Sequence, residues 1–125
     1  MAPTRTRAAR SVPHRIGWWV LTAPTALMLL NHAVGVFAFS QGATDRFMFV
    51  VFALLNAYAL VVLLIPFRRG EPWAWWLSQL QVAAFALCFP LLDDPAIGWF
   101  YLGIAAVLAL GLALTYPGGR PPART

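Results

Sequence analysis

Apolar residues run almost unbroken through four stretches, near 18–40, 47–66, 73–92 and 97–116, and no Asp, Glu, Lys or Arg falls within any of them. About 20 apolar residues cross a hydrocarbon core as a helix. Spans of a β-barrel would instead alternate polar and apolar over about 10 residues. The pattern predicts an all-α membrane protein, a four-transmembrane-helix up-down-up-down bundle over 17–116. Its loops, 41–46, 67–72 and 93–96, are short enough that consecutive helices must be antiparallel neighbours. Residues 1–16 and 117–125 lack apolar periodicity and are expected to be disordered tails, one Arg-rich and one Pro/Gly/Arg-rich. A cleaved signal peptide competes for the first stretch, but its apolar run exceeds the roughly 7–15 residues of such segments.

Composition agrees and charge adds orientation. The chain has 125 residues, 61% hydrophobic and 10% charged, with a net charge of +5 and no lysine. Soluble domains carry about 25% charged residues. Arg5, Arg7, Arg10, Arg15, Arg68, Arg69, Arg120 and Arg124 fall on one side of the predicted topology, and Arg46 alone on the other. Basic residues favour the cytoplasmic side, so both termini are expected in the cytoplasm and the chain in the cell (inner or plasma) membrane. The arginines explain the basic balance without nucleic acid. They are suited to anionic headgroups, at about 1 kcal/mol per residue near the surface. Trp18, Trp19, Trp73, Trp75 and Trp76 then lie at the cytoplasmic interface, and Trp99, Phe100 and Tyr101 at the outer one, as aromatic belts.

The four acids all sit where helices begin. Asp45, Glu71 and Asp94 precede apolar runs as N-caps should, the last two followed by Pro72 and Pro95 at a favoured first helical position. Asp93 is at the outer surface. Gly42 and Gly70 follow helices, where a left-handed residue is favoured.

The informative residues are uncharged. Asn31 and His32 lie in the first stretch, Asn56 in the second, and Ser78, Gln79 and Gln81 in the third. At about 1.5 Å rise per residue, His32, Asn56 and Gln79 fall within about 5 Å of their span centres. Lipid cannot satisfy such groups, so they are expected to face inward. Asn31, His32, Asn56, Gln79 and Gln81 are therefore the candidate site, either as interhelical hydrogen bonds or as a polar cavity for a ligand. The fourth stretch adds no polar residue at that depth. Pro24 and Pro90 are candidate kinks, and Ala105, Ala109 and Ala113, spaced by four, a candidate packing stripe.

Missing residues narrow the chemistry. One cysteine, Cys88, excludes an intrachain disulfide and any Cys-x-x-Cys site. One histidine within a span excludes bis-histidine haem ligation. No carboxylate lies within a span to couple proton flow, and no acid–base pair is visible for an enzyme. No metal or other cofactor is implied. The hairpin FRRGEPWAWW at 67–76, together with Asn31-His32, resembles small bacterial four-span membrane proteins of the broad DoxX-like type. The resemblance implies a four-helix membrane fold and carries over no catalytic residue. The expected function is an accessory or scaffold subunit of a membrane complex, joined by a second copy or another membrane protein. The alternative is binding or transport of a small or lipidic ligand at the mid-membrane polar layer.

Overall fold

The computed structural model describes residues 11–117. These form four helices: α1 Val12–Ala38, α2 Ala43–Val62, continued by a π turn Leu63–Phe67, α3 Pro72–Leu91 and α4 Pro95–Leu114. All four are long and apolar enough to cross a membrane. α1 begins earlier than its apolar stretch, so His14 and Arg15 belong to its first turns rather than to a tail. Ser11 precedes it, and Pro13 fits the first turn because its missing N–H would have had no partner there. The rest of the expected N-terminal tail and residues 118–125 lie outside the described part.

Of the four α-helix starts, only that of α4 carries a side-chain cap. Asp94 caps α4, its carboxylate accepting from the backbone N–H groups of Ala96 at 2.9 Å and Ile97 at 3.5 Å. Glu71 occupies the N-cap of α3, but its carboxylate accepts from the Trp73 indole instead of a backbone N–H. In α2 the N-cap is Gly42, with an extended backbone. Asp45 sits one turn in and reaches back to accept from the Gln41 N–H at 3.3 Å. The expected capping role of Asp45 is corrected to a first-turn acid.

The α2–α3 connection follows from Pro66 and Gly70. Proline has no N–H to return to the preceding turn, and the helix widens into the π turn around it. Gly70 then adopts φ 77°. The N–H of Gly70 bonds the Phe67 carbonyl at 3.0 Å and that of Glu71 bonds the Pro66 carbonyl at 3.1 Å, a Schellman ending.

Packing is uneven around the bundle. α1 packs closely on α2 and α4, and α3 on α4, whereas among neighbouring helices α2 and α3 touch least. The α1–α4 crossing depends on two glycines. A Cβ on Gly111 would lie 2.7 Å from Leu21 Cγ, and one on Gly17 would lie 2.9 Å from the Gly111 carbonyl. Ala109 and Ala113 are exposed, so the expected alanine stripe is not the packing face. Gly98, Ala105, Leu108, Gly111 and Leu112 form that face.

Two tryptophans tie helices together. Trp18 Nε1 donates to the Leu63 carbonyl within the π turn at 2.9 Å, with Arg68 over its ring at 5.1 Å. Trp75 Nε1 donates to the Leu112 carbonyl at 2.9 Å. Trp19, Trp73, Trp76 and Trp99 remain exposed, as belt residues are.

Candidate functional site

Three of the five sequence candidates come together. His32, Asn56 and Gln81 are each at most 3% exposed and meet at the bundle centre. Thr25 joins them, fully buried one to two turns before His32. The order of hydrogen bonds follows from the fixed carbonyls at its ends. Asn56 Nδ2 donates to the Phe52 carbonyl at 2.7 Å, which makes Oδ1 the free acceptor. Gln81 Nε2 donates to that Oδ1 at 3.1 Å and to Thr25 Oγ1 at 3.1 Å. Thr25 in turn donates to the Leu21 carbonyl at 2.7 Å. One chain of donors thus links α1, α2 and α3.

His32 links α1 to α4. Its Nδ1 lies 2.7 Å from the Met28 carbonyl, so Nδ1 carries the proton. In the neutral ring Nε2 is then an acceptor, and the Tyr101 hydroxyl donates to it at 2.8 Å. Asn56 Nδ2 is 3.5 Å from Nδ1, a contact between two donors rather than a bond.

Beside the polar groups lies a cluster with one ring from each helix: His32, Phe52, Phe85 and Tyr101. His32 stacks on Phe52 with ring centres 5.1 Å apart and planes 16° apart, and Phe85 on Tyr101 at 5.6 Å and 13°. The spacing explains the coexistence. Phe52 and Asn56 are four residues apart, as are Gln81 and Phe85, so each helix shows a ring and an amide on one face.

Two candidates fall elsewhere. Asn31 is exposed on the outside of α1, because one residue's step rotates it about 100° from His32. Gln79 is half-buried, and its side chain bonds none of the layer. The fourth helix does contribute at this level, through Tyr101. By residue type Tyr101 suits the outer aromatic belt, but the spacing Tyr101, Ala105, Leu108, Leu112 runs along one helix face and turns it inward. Ser78 is buried but returns its hydroxyl to the Ala74 carbonyl at 2.9 Å, within its own helix.

One cavity touches the layer, and it is small. It measures about 40 Å³ and opens between α2 and α3, with Tyr58, Leu80, Ser78 and Gln81 among its walls. That is space for one or a few waters, well below the roughly 300–1,000 Å³ of sites for drug-sized ligands. A second hollow, about 220 Å³, is lined by Phe67, Glu71, Trp75 and Tyr116 and lies away from the layer. Among the described residues no three His, Cys, Asp or Glu side chains group to hold a metal. Comparison with known protein families, curated proteins and solved structures finds no match to this chain.

Proposed function

We propose that the protein is an accessory or scaffold subunit of a membrane complex, with both termini in the cytoplasm of a cell (inner or plasma) membrane. The observation that carries this is the use of the layer. The hydrogen bonds of His32, Asn56, Gln81 and Tyr101 run to one another, to Thr25 and to the Met28 and Phe52 carbonyls, joining the helices rather than lining an open chamber. Chemistry aimed at a substrate would leave groups facing a cavity of substrate size. The up-down path is supported by the short connections and by contacts such as Gly17 against Thr115. The cytoplasmic placement rests on the arginine distribution.

The test is extraction in mild detergent followed by cross-linking and mass spectrometry. A scaffold emerges in a stoichiometric complex with another protein or with itself, whereas recovery as an unpartnered monomer overturns the proposal. Orientation is tested with Ala43→Cys in a Cys88→Ala background. Labelling of intact cells by an impermeant reagent is expected, and labelling only after the cytoplasmic side is opened contradicts the topology.

A second reading has one observation in its favour. The single Thr25 hydroxyl proton goes to the Leu21 carbonyl, so Gln81 Oε1, 3.4 Å from Thr25 Oγ1, receives no donor from it. A water, or a hydroxyl of a lipidic ligand, entering between α2 and α3 would supply one. Native mass spectrometry that finds a bound lipid, lost in folded His32→Ala and Asn56→Ala variants, would favour this reading over the scaffold.

A further inference from the structure

Asn31 is a polar side chain in the wrong place for a monomer. It lies about 3 Å from the midpoint between Trp19 and Phe39 along α1, at the depth of the hydrocarbon core. Its side chain is exposed on the outside of the bundle and bonds nothing among the described residues. An amide at that depth has no water to bond and no lipid donor or acceptor within reach.

The surroundings of Asn31 have a pattern. Val20, Pro24, Leu27, Asn31, Val34 and Ala38 are spaced four and three residues apart in alternation, the repeat of a two-helix seam. Leu27 is 66% exposed and Val34 43%, while Asn31 and Ala38 are also exposed and Val20 and Pro24 half-exposed. The core-facing line of α1, Leu21, Thr25, Met28 and His32, lies about 100° round the helix from this seam, and Gly35, which packs against Phe49 of α2, borders it.

We infer that α1 pairs with α1 of a second copy, Asn31 against Asn31. A two-fold axis along the membrane normal brings every residue opposite its own copy at one depth. A lone amide then meets the group that satisfies it, since each Nδ2 donates to the other Oδ1. A different protein would need its own polar residue at this depth, whereas a second copy supplies it by symmetry. Lipid supplies none. One asparagine in an otherwise apolar seam also fixes its register and favours two strands. The inference rests on the membrane-scaffold proposal and names the partner.

The test uses the full chain in lipid vesicles. In a Cys88→Ala background, the single-cysteine variants Leu27→Cys and Val34→Cys lie on the seam, and Leu30→Cys and Phe37→Cys off it, with the Cys88→Ala chain alone as the control. Oxidation should give covalent dimers at the first two positions and far fewer at the others. On dilution in lipid, monitored by energy transfer between labelled copies, Asn31→Leu should weaken the dimer by roughly eightfold to three-hundredfold, the worth of the two reciprocal interhelical hydrogen bonds. Asn31→Gln should restore it. Because Asn31 faces outward, its loss leaves the fold, read by circular dichroism, unchanged.

Cross-links that favour Leu30→Cys and Phe37→Cys, or a dimer indifferent to Asn31→Leu, overturn the pairing. Cross-linking at the seam to a different protein also overturns it, yet leaves a scaffold role standing. A chain that is monomeric and joins no other protein defeats both.

Discussion

Replacing Asn56 by Leu and Gln81 by Met, singly and together, measures what the polar layer contributes. Each replacement keeps a similar shape and removes hydrogen-bonding capacity. Asn56→Leu loses the bond to the Phe52 carbonyl and leaves one Gln81 Nε2 proton without an acceptor. Gln81→Met loses both Nε2 bonds and leaves Asn56 Oδ1 without a donor. An interhelical hydrogen bond in a membrane is worth about 0.6–1.7 kcal/mol, and a stranded buried group adds about 1–3 kcal/mol. Each single variant should therefore lose about 2–5 kcal/mol. In the double variant neither partner is stranded, so the combined loss should fall short of the sum by about 1 kcal/mol. Equilibrium unfolding in mixed detergent micelles, followed by tryptophan fluorescence and circular dichroism, gives the four stabilities of the cycle. Single variants as stable as the parent, or losses that add within about 0.3 kcal/mol, refute a layer that holds the helices together.

Two further comparisons separate neighbouring residues of the same type. Gly111→Ala pushes a methyl to within 2.7 Å of Leu21 Cγ, so overpacking should cost about 1–3 kcal/mol and lower the thermal midpoint in detergent. Gly103→Ala meets nothing within 4 Å and should be neutral or stabilising by up to about 1 kcal/mol. Trp75→Phe forfeits the bond to the Leu112 carbonyl and should cost about 0.5–1.5 kcal/mol in the same melt, while the exposed Trp76→Phe leaves it unchanged.

Hydropathy made the spans legible to within a few residues, because twenty uninterrupted apolar residues have few alternatives to a membrane helix. The early start of α1 was not visible, since Val12 to Ile16 mix Pro, His and Arg, and the turn is set by its Ser11-Val12-Pro13 start rather than by apolar period. The π turn at Pro66 was hidden for a different reason. Proline at the end of a span reads as a stop, and only the neighbouring Trp18 indole and Gly70 show how the chain instead continues for another turn.

The site was half legible. Depth along each span singled out His32, Asn56 and Gln79; the first two are buried together with Gln81, but depth could not tell Asn31 from His32 or Gln79 from Gln81. Adjacent residues share a depth and point about 100° apart. The direction of the core, given by Leu21, Thr25, Met28 and His32 at helical spacing, separates them. Tryptophan posed the same difficulty. Trp18 and Trp19, or Trp75 and Trp76, are equally good belt residues by type, and only the carbonyl acceptor that a facing element presents, Leu63 or Leu112, decides which of each pair turns inward.

The most direct test of a closed layer is the protonation and exchange of His32 in lipid bilayers, read by nitrogen-15 magnetic resonance on histidine-labelled protein with His14 replaced. A layer closed on itself predicts the neutral tautomer with its proton on Nδ1, held by the Met28 carbonyl, and with Nε2 accepting from Tyr101. The Nδ1 proton should then exchange slowly with solvent deuterium. A proton on Nε2, or rapid exchange on transfer to heavy water, would contradict it and place His32 in an open, watered cavity.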